Sequence, residues 1–242
     1  WQAFEKVSGK PVAKMMHNWT SKPGYPVVRA SIEKGELVLS QERFFANPHT
    51  FRKAKGVGVK QMWQIPVIIG SQDSWTKINF GETGFYRTAY SKELLEKLYE
   101  PIKNKKLSAR DRLGVIRDLF ALSEAGVIPT TDALEFLSAY KKEDNYTVWL
   151  EIVMGLTRLE QLIFKADIGV SYVHRKLLCQ QNLDKFVIDL FSPTMKRLGW
   201  NAKKNESHFD TLLRSLAISR LGRAGDKKVI TEARKKFKSG HA

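Results

Sequence analysis

Strand-forming and helix-forming patterns meet in Ile78-Asn79-Phe80-Gly81-Glu82-Thr83-Gly84-Phe85-Tyr86-Arg87-Thr88-Ala89-Tyr90. Aromatic and β-branched residues are typical of strands, and Gly81 and Gly84 favour a turn in front of them. The stretch therefore predicts a strand from Phe85 to Tyr90 that is entered through a tight turn. Ser91 follows at the position of a helix N-cap.

The chain before this stretch is predicted to contain short helices and then strands. Apolar residues recur at helical spacing on both sides of Pro11: Trp1, Phe4 and Val7, then Val12, Met15, Met16 and Trp19. Beyond Pro26 the period becomes two. A hairpin is predicted in which Lys34-Gly35 forms the turn between two apolar sets, Val28, Ala30 and Ile32, then Leu37 and Leu39.

A further strand is predicted over Met62–Ile69. Pro66 indicates an edge position for it, because proline has no N–H to give to a sheet ladder. Gly70–Ser74 would then be a short connection to Trp75.

Helical periodicity dominates after Ser91. Ser108 and Asp111 form a capping box at the start of one helix, which Gly126 and Pro129 end. Thr131 is predicted to cap the next helix and Asp144 a long one. Further apolar stripes are present at Leu183–Leu198, Phe209–Leu221 and Val229–Phe237. Short loops between such helices favour antiparallel neighbours, although no strict internal repeat is readable.

The chain is strongly basic. Its 41 Lys and Arg against 25 Asp and Glu give a formal charge of +16, which raises the prior for nucleic acid, an anionic membrane or an acidic ligand. The basic residues are nevertheless spread from Lys6 to Lys238 without one dense run, as on an ordinary solvated surface. The sequence therefore does not favour nucleic acid as a partner.

The single cysteine, Cys179, excludes an internal disulfide, so stability does not depend on an oxidising compartment. This favours a cytoplasmic location. No apolar run approaches the roughly 20 residues needed to span a bilayer, so no membrane partner is expected.

Catalytic and metal-binding motifs are missing from the sequence. The five histidines occur singly, at positions 17, 49, 174, 208 and 241, and none has another histidine four residues away. Neither Cys179 nor any serine has a local signature of a nucleophile. We therefore predict no catalytic residue and no metal ligand in this chain.

Four segments resemble zinc aminopeptidases of the aminopeptidase N type, the gluzincin family that includes the tricorn interacting factor aminopeptidases. They occur in the family's order and are Trp1–Val28, Gly84-Phe85-Tyr86-Arg87, Ser108-Ala109-Arg110-Asp111-Arg112 with Asp118, and Phe191-Ser192-Pro193 with Leu198-Gly199-Trp200. Because they span nearly the whole chain, the resemblance is more specific than one short motif. It implies that the chain begins within a larger protein.

The resemblance implies an α+β multidomain architecture. Residues 1–25 would be the helical tail of the catalytic domain, residues 26–90 a small β-sandwich, and residues 91–242 an α-helical, HEAT/armadillo-like superhelical domain that is cut short. It also implies a parent enzyme that uses zinc to remove N-terminal residues from peptides, with zinc ligands that this chain lacks. The partners would be peptide substrates and the catalytic domain of the same polypeptide.

The sequence departs from the family between Ile69 and Trp75, where the β-domain usually has additional strands. Either this member has a trimmed sandwich, or residues were lost from the middle of the chain near Asp73 and Ser74. A sandwich short of strands would leave an apolar face uncovered, which favours the second explanation.

In the family, the concave face of the helical domain covers the active site and holds the far end of a peptide. Arginines there would pair with the peptide's C-terminal carboxylate. The candidates are Arg112, Arg158 and Arg214, which lie on or near apolar stripes. The alternative is that these arginines are structural, holding helix ends or carboxylates such as Asp111 and Asp118.

Two functions remain open on the sequence. One is the non-catalytic C-terminal portion of a zinc aminopeptidase. The other is a basic helical scaffold without catalysis that binds nucleic acid or acts in a larger assembly. A His-Glu-x-x-His motif upstream of Trp1 would decide for the peptidase.

Overall fold

The computed structural model of the chain describes residues 1–47, 61–72, 74–165 and 173–240. These residues divide into two compact units. The first consists of Trp1–Ile102 and Lys106–Glu135, and the second of Lys103–Lys105 and Phe136–Ala242. The predicted division at residues 25 and 90 stays a prediction.

The first unit begins with two helices, α1 (Gln2–Ser8) and α2 (Val12–Ser21). Strands β1 (Pro26–Glu33) and β2 (Glu36–Arg43) form the predicted antiparallel hairpin. Lys34 and Gly35 have φ of 51° and 83°, as a two-residue hairpin turn requires. The helices and the hairpin are therefore confirmed.

The sheet has the strand order β2-β1-β5, in which β5 (Arg87–Tyr90) pairs parallel with β1. A second, two-stranded sheet consists of β3 (Ile69–Gln72) and β4 (Trp75–Ile78). The predicted strand over Met62–Ile69 is wrong, since residues 61–68 have no regular structure and the strand begins only at Ile69. Gly70 and Ser71, predicted as connection, belong to that strand.

Strand β1 is central and packs on both of its faces. Val27 lies in one cluster with Leu122 and Ala125. Val28 and Ala30 lie in another, on the opposite face. That second cluster also contains Ile78, Tyr86 and Leu94, from β4, the loop before β5 and the next helix. Both faces of the small sheet are thus covered within the described part of the first unit.

Helices follow from residue 92. The first unit contains α3 (Lys92–Lys103) up to Ile102, α4 (Ala109–Glu124) and α5 (Thr130–Phe136) up to Glu135. The 3-10 turn at Leu137–Tyr140 belongs to the second unit. The second unit contains α6 (Tyr146–Lys165), α7 (Val173–Leu198), α8 (His208–Arg223) and α9 (Lys227–Lys238). Trp149 and Phe191, with ring centroids 4.4 Å apart, lie in its core.

Two of the predicted helix caps are wrong. Helix α5 already begins at Thr130, so Thr131 lies in its first turn. Helix α6 is capped by Asn145, whose Oδ1 accepts from the N–H groups of Thr147 and Val148. The Asp144 carboxylate instead pairs with Lys105 at 2.5 Å. An amide or a carboxylate can cap a helix, and the spacing alone cannot choose between adjacent residues of this kind.

Helices α4 and α8 have the same terminal design. Each has 16 residues. Each begins after a serine whose Oγ accepts from the aspartate N–H three residues on, at 3.1 Å in both Ser108–Asp111 and Ser207–Asp210. Each ends at Ala-Gly, where Gly126 and Gly225 have φ of 69° and 82°. This pattern was not evident as a sequence repeat.

Candidate functional site

The loop between β4 and β5 has an unusual backbone. Asn79, Gly81 and Glu82 all have positive φ, at 58°, 76° and 53°. The buried Asn79 amide compensates for part of this strain by bonding both backbone groups of Gly84. Its Oδ1 accepts from Gly84 N at 2.8 Å, and its Nδ2 donates to Gly84 O at 3.2 Å. The loop is therefore fixed from within.

A buried lysine anchors the same loop. Lys77 is 1% exposed, and its Nζ donates to Ile78 O and to Glu82 Oε1, both at 2.7 Å. The other Glu82 oxygen accepts from Arg117 Nη2 at 2.9 Å. Because a buried charge is costly unless it is paired and hydrogen-bonded, this arrangement requires all of its members.

Helix α4 presents two more carboxylates to this region. Asp111 Oδ1 accepts from Gly81 N at 2.6 Å. Asp118 accepts from Arg87 Nη1 at 3.0 Å and from Thr88 N at 2.8 Å. Burial raises the pKa of Asp118 to about 6, although Arg87 and the Thr88 N–H act in the opposite direction. Residues 111, 114 and 118 are at helical spacing and share one face of α4.

Gly114 makes the close approach of α4 possible. A Cβ at this position would overlap the carboxyl group of Glu82. Any side chain here would therefore push Glu82 away from Lys77 and Arg117.

Replacing Gly114 with Ala is expected to lower the free energy of unfolding by about 1–3 kcal/mol, because the added methyl group overpacks a fixed ion pair. The matched control is Gly222→Ala in α8, where a Cβ would meet nothing within 4 Å. That change should be neutral or stabilise by up to about 1 kcal/mol, as alanine does in a helix. Urea titration of both variants measures the difference, and equal effects would contradict the packing argument.

The loop presents one aromatic ring to solvent and buries the next. Phe85 is 71% exposed, whereas Tyr86 is 6% exposed. Burial raises the pKa of Tyr86 to about 12. Neither residue lies in β5, which begins at Arg87, so the predicted start of that strand at Phe85 is wrong.

Two of the predicted arginines are buried. Arg112 is 5% exposed, and its Nη1 donates to Leu107 O at 2.6 Å. Arg214, also 5% exposed, donates to both carboxylate oxygens of Glu206 and, through Nε, to Gly199 O at 3.0 Å. Hydrogen bonding to Arg214 lowers the pKa of Glu206 to about 2. Both side chains therefore hold neighbouring segments in place.

Arg158 is the accessible member of the three. Its side chain is 38% exposed, and its Nη2 lies 3.9 Å from Glu151 Oε1. Its predicted role, like that of Arg112 and Arg214, stays a prediction. These three arginines belong to different helices, α4, α6 and α8.

Over the described ranges, no group of three or more His, Cys, Asp and Glu side chains could hold a metal ion. His49 and His241 lie outside those ranges. The same part of the chain has no helix with both the length and the apolar character to cross a bilayer.

Comparison with known proteins identifies the class of the chain. The family model of the ERAP1-like C-terminal domain matches residues 75–241. Aminopeptidase M1-A of Oryza sativa subsp. japonica is 34% identical over 267 residues, which cover 98% of this chain and 28% of the relative. Aminopeptidase M1 of Arabidopsis thaliana is 32% identical, over 98% of this chain and 29% of the relative. The puromycin-sensitive aminopeptidase of Caenorhabditis elegans is 28% identical, over 98% of this chain and 27% of the relative.

The chain belongs to the family of the ERAP1-like C-terminal domain. Its relatives are aminopeptidases, and the resemblance to the aminopeptidase N type is confirmed. The chain spans less than a third of the length of the curated relatives it matches. The match of 267 residues with the rice protein is longer than the 242 residues of this chain, so that relative has residues inside the matched region that this chain lacks.

Sequence reasoning missed most of the loop's anchors. Lys77 reads as an outward polar residue of a strand, and Glu82 and Arg117 as ordinary surface charges. The available signal was the segment Gly81-Glu82-Thr83-Gly84, which follows closely after Asn79. Two glycines and an asparagine this close together indicate several residues with positive φ.

Proposed function

We propose that this chain is a non-catalytic C-terminal region of an aminopeptidase that removes N-terminal residues from peptides. The observation that carries this proposal is the match of 98% of the chain to aminopeptidases, together with the family match over residues 75–241. The zinc ligands and the general base would lie in the part of the polypeptide that the relatives have and this chain does not. The proposed domains remain residues 1–25, 26–90 and 91–242.

We further propose that the helical domain is superhelical, covers the active site and holds the peptide. The shared terminal design of α4 and α8 supports this, since equal helix lengths with equal caps are expected of stacked helix pairs. A stack of such pairs curves into an extended concave surface, which suits a bound peptide.

Within this proposal, Arg158 is the foremost candidate for the peptide's C-terminal carboxylate. Its exposed guanidinium could form a charged hydrogen bond without first leaving the protein interior. Arg112 and Arg214 are each 5% exposed and could reach a peptide only by moving out of the interior.

Replacing Arg158 with Ala is expected to weaken binding of a long peptide by about 10-fold or more, the equivalent of a lost charged hydrogen bond. Arg223→Ala, whose side chain is 68% exposed, is the control and should change affinity little. Calorimetric titration with free and C-terminally amidated peptides measures the effect. If C-terminal amidation of the peptide leaves its affinity unchanged, the proposed site for the peptide's carboxylate is wrong.

The isolated chain is expected neither to hydrolyse aminoacyl-coumarin substrates nor to bind one equivalent of zinc, because it has no recognisable set of ligands and base. The full-length polypeptide, which joins this chain to the portion that precedes it in the relatives, should do both. Metal analysis and the coumarin assay on both proteins test the proposal. A full-length polypeptide without aminopeptidase activity would overturn it.

A cytoplasmic location remains part of the proposal. It is supported by the presence of a single cysteine, Cys179, because stability then does not depend on a disulfide within the chain.

Nucleic-acid binding by a basic scaffold is a second candidate, which the charge of α9 favours. This helix carries Lys227, Lys228, Arg234, Lys235, Lys236 and Lys238 against one acidic residue, Glu232. Binding to duplex DNA should then fall with salt at a slope of about −0.9 for each phosphate neutralised. We expect no such binding near physiological salt, and a tight complex with a steep slope would favour this second function.

A further inference from the structure

Helix α9 has a row of exposed positive charge on one face. Helical residues advance by about 100° each, so the cations of this row fall within about a third of the circumference. They are Lys227, Lys228, Arg234, Lys235 and Lys238, and we call them the α9 stripe. Among the described residues, none of these five side chains forms an ion pair.

The other sides of α9 are used within the fold. Val229 is buried, and Asp226 accepts from Val229 N at 2.9 Å and so caps the helix. Lys236, the sixth cation, donates to Asn201 Oδ1 at 3.0 Å and lies over the Trp200 ring. The apolar residues of α9 lie on the side of Val229. An element that packed on α9 through apolar contacts would therefore leave the stripe in solvent.

Helix stability accounts for only part of the stripe. Lys235 and Lys238 lie near the C-terminal end, where cations offset the partial negative charge of the helix. Lys227 and Lys228 are the first two residues, where the same dipole opposes positive charge. Arg234 and Lys238 are like charges four residues apart, which repel each other. A row of charge that costs the helix stability is expected at a binding surface.

The stripe forms part of a shallow hollow on the surface. The hollow is lined by Thr231, Arg234, Lys235, Lys238 and Ser239, none of which is acidic. Both hydroxyl groups already donate to the backbone, Thr231 Oγ1 to Lys227 O at 2.7 Å and Ser239 Oγ to Lys236 O at 2.9 Å. The ligand would therefore meet cationic donors. This is the chemistry of a site for an anion with several charges.

The spacing of the stripe matches an extended polypeptide. Arg234 and Lys238 are about 6 Å apart along the helix axis, and Lys227 and Lys238 about 16 Å. Alternate side chains of an extended chain point the same way at intervals of about 6.6 Å. Carboxylates at alternate positions would therefore meet successive cations. Most of the stripe is lysine, a point charge on a flexible stem that requires no fixed ligand geometry.

Nucleic acid and lipid match the stripe less well. Single-stranded nucleic acids stack on aromatic rings, and the stripe contains none. A duplex carries its phosphates on two strands, of which a row one helix wide would neutralise few. The stripe has no apolar residue to insert among lipid chains. A second copy of the chain is disfavoured by its own charge of +16.

We propose that the α9 stripe is a binding surface for acidic peptides, in which Asp or Glu recurs at alternate positions. The stripe would contact the carboxylates in the middle of the peptide, whereas the site proposed at Arg158 takes a C-terminal carboxylate. The inference rests on the proposed function for its choice of a peptide over other polyanions. Binding at the stripe does not itself require hydrolysis.

Calorimetric titration of the chain with a peptide of alternating Glu and Gly tests the surface. A peptide with Gln in place of each Glu should bind at least about 10-fold more weakly at low salt, because it has no side-chain charge. Affinity for the acidic peptide should fall as salt is added, since exposed charges are screened beyond about 10 Å at 0.1 M. The stripe variant, Arg234→Gln with Lys235→Gln and Lys238→Gln, should lose at least about 10-fold in affinity.

The matched control removes the same charge from the N-terminal helices and the turn between them. It combines Lys6→Gln, Lys10→Gln and Lys14→Gln, all at exposed lysines. It should weaken binding by less than about 2-fold, because these lysines lie outside α9. Glutamine is a good helix former, so circular dichroism should show unchanged helix content in both variants.

Equal losses in the two variants would overturn the proposal, because net charge alone would then explain binding. So would no binding of the acidic peptide, or tighter binding of duplex DNA or of phosphatidylserine vesicles. The coumarin assay on the full-length polypeptide separates the two hypotheses. Peptide binding at the stripe without activity removes the proposed function and keeps the surface. Activity with unchanged peptide binding in the stripe variant does the reverse.

Discussion

Glu82→Ala is expected to lower the free energy of unfolding by about 3–5 kcal/mol. The Glu82 carboxylate is the partner of Lys77, which is 1% exposed, and of Arg117. Its removal leaves the Lys77 ammonium buried, and the acceptors that remain to it among the described residues are the carbonyl groups of Ile78 and Asn79. Leaving one charge of a buried pair uncompensated is among the most destabilising single changes in a protein.

The control for this effect is Glu93→Ala, which removes a carboxylate from an exposed pair on α3. Glu93 lies 2.6 Å from Lys97, and both side chains are about half exposed. Pairs of this kind contribute at most about 0.5 kcal/mol. Urea titrations of the two variants should therefore give very different midpoints.

A double variant tests whether the pair acts as a unit. Lys77→Met removes the buried charge, so the loss caused by Glu82→Ala should be smaller in its presence than alone. Additive losses would mean that Lys77 and Glu82 are not energetically coupled, contrary to the contact at 2.7 Å.

The sequence was most informative where structure depends on neighbours in the chain. The hairpin turn at Lys34-Gly35 and the Ser108–Asp111 cap were predicted, because each depends on residues one to three positions apart. The strand over Met62–Ile69 was predicted wrongly from apolar content alone. Pro66 lies within it, and only Ile69 goes on to pair with β4.

The anchors of the β4–β5 loop could not be predicted because their partners are distant in sequence. Glu82 and Arg117 are 35 residues apart, and Thr88 and Asp118 are 30 apart. Apolar periodicity reports which face of an element is buried, but it does not report that a lysine in a short strand will be buried with a carboxylate. The sequence likewise predicted that Arg214 lies on or near an apolar stripe, but it did not indicate Glu206 as its partner. That pairing is seen only in the structure.

Tyr86→Ala is expected to cost about 3–5 kcal/mol of unfolding free energy, because it removes a large ring from the sheet's core. Tyr86 belongs to the cluster with Val28, Ala30, Ile78 and Leu94. Its ring also covers Gly84 so closely that a Cβ there would overlap it. The cavity would lie beneath the loop, where backbone bonds limit how far the structure can collapse.

Phe85→Ala in the isolated chain is the matched comparison, with an adjacent aromatic ring removed by the same substitution. Because Phe85 is 71% exposed, the loss should be only about 1 kcal/mol, the value of its edge contacts with Trp19 and Tyr25. Denaturant titration of the two variants measures both losses. Equal losses would show that Phe85 is as deeply buried as Tyr86, contrary to the exposures of the two rings.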